Sequence, residues 1–247
     1  GLYYSLLDWR FPGYFDPAGY PESKNALVHQ AHEQVRELLT NYGRIDLLWF
    51  DGAWAADFTV GENESQQYID FWRSDELGAM IHELQPNCLI NNRSGLSGDF
   101  DTPEQTLQPS ARGRAWEVCQ TIGDWDQSWS HQRGMPNPVR KSADQLILQL
   151  AVIMKNNGNL LLNVGPDEEG RIPEADERVL REIGLWIQDN EEAVYGTDRH
   201  EVWGSSVGDW VFKENIGYFV FRSWPGNKHA VHRLRDATPQ SAAMLAT

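Results

Sequence analysis

Ile45-Asp46-Leu47-Leu48-Trp49-Phe50-Asp51-Gly52 decides how the rest of the chain is read. A nearly continuous apolar run with one acid in it suits a strand covered on both faces, because each face must then find apolar cover. The run closes on a carboxylate and a glycine, so polar chemistry sits where the packing ends. Upstream, Leu27, Ala31, Val35 and Leu38 recur at helical spacing, and residues 41–43 supply a stop. Downstream, a helix is expected from about residue 65 to residue 84, ending before Pro86. Further strands are expected at residues 2–6, 88–91, 116–121 and 159–164. Ser142-Ala143-Asp144-Gln145 has the form of a capping box opening an apolar helix to Lys155, which stops at Gly158. Pro173 opens another helix, whose buried face carries Leu180, Ile183, Trp186 and Ile187.

Strand–helix alternation of this kind builds parallel βα units, in an open doubly wound sheet or a closed barrel. No Gly-x-Gly-x-x-Gly or phosphate loop follows a strand, which weakens the nucleotide-binding version. The expected class is α/β, a partial (β/α)8-type barrel with about five of its eight strands. It would occupy residues 1–196, and the start of a small antiparallel β domain would occupy residues 197–247. There, residues 210–213 and 218–222 flank a turn as in a hairpin. Gly1-Leu2-Tyr3-Tyr4-Ser5 reads as a strand already under way, so the remaining barrel strands are expected before Gly1.

Composition narrows the chemistry. With 36 acidic and 21 basic residues among 247, the formal charge of −15 would repel a phosphate backbone, and nucleic acid is not an expected partner. No apolar stretch is long enough to span a bilayer. The two cysteines, Cys88 and Cys119, have no metal-type or redox spacing. Among His29, His32, His82, His131, His200, His229 and His232 there is no His-x-x-x-His spacing, and the His29/His32 pair falls on a polar helix face. Neither a metal site nor a cofactor is expected. No Gly-x-Ser-x-Gly elbow is present, which argues against a serine hydrolase. Eleven tryptophans fill cores or stack on sugar faces, and the first use is the commoner. Compartment is left open.

The polar residues Tyr3, Tyr4, Asp51, Asn91, Asn92, Arg93, Glu117 and Asn163 fall in or just beyond the C-terminal parts of expected strands. That rim is where βα barrels build active sites. Asp51 is either a turn carboxylate or one held at the base of a pocket, with Gly52 leaving room for a substrate and Trp54 able to stack on it. Glycoside hydrolysis needs a second carboxylate to protonate the leaving oxygen. Glu104, on a polar loop able to swing over the rim, and Glu117, early in a strand, compete for that role. Arg93 reads equally as a clamp on a sugar hydroxyl or on a carboxylate, and as a surface ion pair. Asn163 reads as support for loop backbone.

Several ordered stretches resemble one known family. They are Gly1-Leu2-Tyr3-Tyr4-Ser5 with Asp8-Trp9-Arg10, Leu48-Trp49-Phe50-Asp51-Gly52, Asn91-Asn92-Arg93, and Gly98-Asp99-Phe100-Asp101-Thr102-Pro103-Glu104. Trp116-Glu117-Val118-Cys119, Gly158-Asn159-Leu160-Leu161-Leu162-Asn163-Val164-Gly165-Pro166 and Glu191-Glu192-Ala193-Val194-Tyr195-Gly196-Thr197 continue the series. In these stretches the chain resembles the α-L-fucosidases of glycoside hydrolase family 29. The resemblance implies Asp51 as nucleophile and Glu104 as acid/base, with Glu117 the fallback. It also implies that Tyr3, Trp49 and Arg93 contact fucose. Trp54 and Glu117 join them as substrate-binding candidates. The implied substrate is a fucosylated oligosaccharide or glycoconjugate, cleaved with retention, and transfucosylation is a side activity to expect. The family's fucose-binding histidines lie in the N-terminal part of its barrel, which is expected to fall before Gly1. The edge of the first strand would then invite pairing with a second copy. An inactive fucose-binding or scaffolding fragment is the main alternative, and another retaining glycosidase the second.

Overall fold

The computed structural model describes residues 1–54, 64–109, 113–123, 139–198, 207–223, 226, 241 and 243–245. By its internal contacts the chain divides into two units, Gly1–Thr102 and Pro103–Thr247.

The first unit runs β1 (Leu2–Ser5), α1 (Pro12–Phe15), α2 (Pro21–Asn41), β2 (Leu47–Asp51), α3 (Glu64–Trp72), α4 (Ser74–Leu84) and β3 (Leu89–Ile90). Its sheet is parallel, with β2 central in the order β1-β2-β3. The register pairs Leu2 with Leu48 through Ser5 with Asp51, and then Leu47 with Leu89 and Leu48 with Ile90. Leu48 and Phe50 are fully buried, as the apolar run of β2 requires. They share one core with Leu27, Val28, Ala31, Val35 and Leu39 of α2 and with Trp72, Leu77 and Ile81. On α2 the stripe ends at Leu39 and leaves Leu38 half-buried, because a step of four from Val35 stays on the buried face.

Two expectations are corrected in this unit. The helix expected over residues 65–84 is two helices, parted at Arg73, whose φ of 51° is left-handed. Trp72 before the break is fully buried, and its indole N–H donates to the Ala53 carbonyl at 2.6 Å. Ser74 after it is also buried, and its hydroxyl donates to the Ser94 carbonyl. With the helix broken between them, both residues find partners in the core. His32 does not lie on an open polar face. It is half-buried, with Nε2 2.8 Å from the Trp72 carbonyl.

The second unit runs β4 (Glu117–Thr121), α5 (Ala143–Lys155), β5 (Asn159–Asn163), α6 (Glu174–Asp189), α7 (Glu191–Val194), β6 (Gly208–Lys213) and β7 (Ile216–Phe221). Strands β4 and β5 pair in parallel from Glu117 with Asn159 to Thr121 with Asn163. The capping box forms as expected. Ser142 Oγ accepts from the Gln145 backbone N–H at 3.2 Å, and Gln145 Oε1 accepts from the Ser142 N–H at 2.9 Å. Gly158 does more than end the helix, because a Cβ there would lie 2.3 Å from the Trp116 ring. The expected apolar face of α6 buries Ile183, while Leu180, Trp186 and Ile187 are half-buried. Strands β6 and β7 make the expected antiparallel hairpin, from Gly208 with Phe221 to Lys213 with Ile216. Among the described residues the parallel strands therefore form a three-stranded and a two-stranded sheet.

Candidate active site

Asp51 is the last residue of β2, and the neighbouring strands supply its partners. Tyr3 on β1 stands opposite Trp49 in the register, and their rings stack at 5.7 Å with 21° between planes. The Tyr3 hydroxyl donates to Asp51 Oδ2 at 2.9 Å. Arg93, just past β3, donates from Nη1 to Asp51 Oδ1 at 3.2 Å. Its guanidinium also lies 4.8 Å from the centroid of Trp49, a cation–π distance. Both carboxylate oxygens are thus held, yet the Asp51 side chain keeps 21% of its exposure and Arg93 18%. Tyr3 is 62% exposed as a residue, but partial shielding of its hydroxyl, and then the hydrogen bond and charge of Asp51, push its ionisation above the ordinary tyrosine range. Tyr3 is therefore a donor at neutral pH.

The backbone under Asp51 is fixed by groups the sequence reading assigned no role. Strand pairing between β2 and β3 ends at Leu48 and Ile90. Beyond it the buried side chain of Asn91 takes over, accepting from the Phe50 N–H at 2.8 Å and donating to the Phe50 carbonyl at 2.9 Å. One amide side chain thus does the work of a strand residue on the peptide that leads into Asp51. On the other side the Leu6 N–H donates to the Asp51 carbonyl at 2.8 Å. Gly52 adopts φ +72°, and a Cβ there would meet Leu7 Cγ at 2.5 Å. The room over Gly52 is filled by Leu7, not kept for a substrate, which corrects the sequence reading.

Trp54 is 49% exposed, and its carbonyl accepts from the Tyr14 hydroxyl at 2.6 Å, so its backbone is tied while its ring stays open. Tyr4, one residue from Tyr3 and hence on the opposite face, donates to Gln34 Oε1 on α2 at 2.8 Å. Asp8 accepts from Arg10, and from Gln30 at 3.1 Å; the Arg10 hydrogen bond first holds its carboxyl down to about 2.

The two candidate acids belong to the second unit. The backbone on both sides of Glu104 is tied to β4. The flanking Pro103 carbonyl accepts from the Cys119 N–H at 2.9 Å, and the Gln105 N–H donates to the Cys119 carbonyl at 2.9 Å. These bonds lay Glu104 along β4 opposite Cys119. Glu117 opens β4, half-buried, paired with Asn159. The Asn163 carbonyl accepts from the Ile122 N–H at 3.0 Å, which extends the β4–β5 ladder by one bond. Among the described residues no group of three or more His, Cys, Asp or Glu could hold a metal ion. His131, His200, His229 and His232 lie outside the described residues.

A family model described as Alpha-L-fucosidase matches residues 1–192. An α-L-fucosidase of Dictyostelium discoideum is 28% identical over 90% of this chain and 48% of its own length. In structure, α-L-fucosidase isoenzyme 1 from Paenibacillus thiaminolyticus superposes with a TM-score of 0.70 at 35% identity, over 87% of this chain and 54% of that one. An α-L-fucosidase from Bacteroides thetaiotaomicron, trapped as a covalent intermediate with 2-fluoro-fucosyl fluoride, shares the fold with a TM-score of 0.73. Its identity is 22%, over 86% of this chain and 52% of that one. The chain spans about half the length of the curated relatives it matches.

Proposed function

The chain belongs to the α-L-fucosidase family, and from that premise we propose that it is a retaining exo-glycosidase releasing terminal α-linked L-fucose. The observation that carries the reading is Asp51. It is a carboxylate at the C-terminal end of a buried parallel strand, held through both oxygens and still open to solvent beside Trp49 and Arg93. An acid kept only for packing would be closed off; this one is oriented and accessible.

In the proposed reaction one Asp51 oxygen attacks the anomeric carbon through an oxocarbenium-like transition state, while Glu104 gives its proton to the departing oxygen. Glu104 then takes a proton from water, whose oxygen displaces Asp51 and restores the starting configuration. The covalent course is the one trapped in the Bacteroides enzyme. Arg93 and Tyr3 would hold the carboxylate in its attacking orientation, and Trp49 and Trp54 offer ring faces to the sugar. Glu117 is the alternative acid/base. An acceptor sugar in place of water would give transfucosylation. Residues 1–196 are read as the portion of a (β/α)8-type barrel and residues 197–247 as the start of the β region. As β1 ends its sheet among the described strands, pairing of two copies along it is the expected oligomer contact, and a monomeric elution profile would remove it.

The test is hydrolysis of 4-nitrophenyl α-L-fucoside beside Asp51→Asn, Glu104→Gln and Glu117→Gln. Loss of turnover with Asp51→Asn, and azide rescue of one glutamine variant, would establish the nucleophile and identify the acid. Absence of turnover by the unaltered chain, with retained binding of fucose, would replace this reading by that of a sugar-binding fragment.

A further inference from the structure

Arg93 is held from behind as well as in front. Its Nε donates to the Thr102 hydroxyl at 2.9 Å, and its Nη2 donates to the Thr102 carbonyl at 3.1 Å. Thr102 is itself fixed. Its N–H and its hydroxyl both donate to Asn92 Oδ1, at 3.0 and 2.9 Å. It is 6% exposed, so water does not compete strongly for these bonds. Because the hydroxyl proton goes to Asn92, the oxygen lone pairs face Nε. The guanidinium is planar, so two bonds on its Nε–Nη2 edge determine where Nη1 points. Nη1 is the atom that reaches Asp51 Oδ1, and the ring face of Trp49 lies beneath the same plane.

We propose that Thr102, oriented by Asn92, is a positioning residue that aims the Arg93 guanidinium at the nucleophile. This rests on the reading of Asp51 as nucleophile, but its geometric half can be tested without turnover. Thr102 acts through Arg93 alone and need not touch a substrate. A long arginine side chain otherwise samples many rotamers, and each would move Nη1 away from Asp51.

The experiment uses the whole chain with Thr102→Val, which keeps the shape and removes the hydroxyl, and Thr102→Ser, which restores it. In the fucoside assay, Thr102→Val is expected to lower kcat/KM roughly 10- to 100-fold, with Thr102→Ser close to the unaltered protein. On an Arg93→Lys background Thr102→Val should add almost nothing, since the group it aims is already gone. A merely structural role would lower the melting temperature and cost the same on both backgrounds. In parallel, the 15N signal of the Arg93 Nε–H, assigned by its loss in Arg93→Lys, should exchange slowly with water. It should become fast in Thr102→Val and stay slow in Thr102→Ser. If the unaltered chain shows no turnover, the fucosidase reading fails, and the exchange measurement alone decides whether Thr102 holds Arg93. Full activity in Thr102→Val, or an Nε–H signal indifferent to that change, overturns the proposal.

Discussion

Asp51 in the first unit and Asp209 in the second are both aspartates held by two donors, and they have been finished differently. Asp209 is 2% exposed and lies between two cations, Lys155 Nζ at 2.7 Å and Arg222 Nη2 at 2.6 Å. Burial alone would raise its carboxyl. The hydrogen bonds and charges of Lys155 and Arg222 outweigh burial and hold it below the usual range. Each of its oxygens is engaged by a cation, and solvent is almost excluded. Asp51 has one neutral donor, Tyr3, and one cation at the longer distance of 3.2 Å, and it keeps a tenfold larger exposed fraction, 21% against 2%. A carboxylate that ties elements together is neutralised and closed. One that reacts must be oriented without being neutralised, because close ion pairing would blunt its nucleophilicity and block the approach.

That contrast is most exposed to failure at Asp51 itself. Asp51→Asn is expected to lower fucoside turnover by at least about 10³-fold, while stability changes by no more than about 1 kcal/mol. Turnover kinetics and thermal melting of the same sample check both halves. Equal losses in both would make Asp51 another structural acid. Asp209→Asn should do the reverse. It leaves Lys155 without its buried partner, and solvent reaching Lys155 and Arg222 softens the loss to about 2–3 kcal/mol. The melting temperature then falls by roughly 5–10 °C, with turnover per folded molecule retained. A variant as stable as the parent would show the buried carboxylate to be dispensable.

The pH dependence sharpens the same difference. The Asp209 carboxyl is depressed in the folded state, so its contribution is complete above the unfolded value of about 3.9. It is lost as pH falls through the folded value. The stability gap between the parent and Asp209→Asn should therefore be flat near neutrality and close only in acid. A gap widening toward low pH would contradict the assignment. Tyr3 has the opposite sign. Its ionisation is raised, so its contribution is complete below the unfolded tyrosine value of about 10 and is lost as pH climbs toward the folded one. Tyr3→Phe removes one bond to Asp51 and is the smallest change, a loss of roughly three- to tenfold in kcat/KM. It should matter less as the assay is made strongly alkaline.

Much of the frame was legible in residue order. The apolar run that ends at Asp51, the stripe on α2 apart from its last member, the Ser142–Gln145 box and the hairpin near Trp210 and Tyr218 form as read. Each depends on residues a few positions apart, whose periodicity or capping chemistry is written locally. Tyr3, Trp49, Asp51 and Arg93, singled out in the sequence, are brought together by the parallel register of β1 and β2 and by the turn after β3.

Other features had no local signature. The break at Arg73 follows from Trp72 and Ser74 each finding partners about 20 residues away, in Ala53 and Ser94. Gly52 is required by Leu7, 45 positions earlier by residue number, and Asn91 replaces a strand partner for Phe50 at a separation of 41. Glu104 read as mobile because its neighbours are polar and glycine-rich, yet Cys119 pins the backbone on both sides of it. Residue order by itself determined which segments become strands and helices and which acid ends β2. Tertiary structure decided which side chains replace missing backbone partners and how Arg93 is aimed. Hydrogen-bond partners and close approaches belong to pairs of distant residues, and a reading along the chain sees one member at a time.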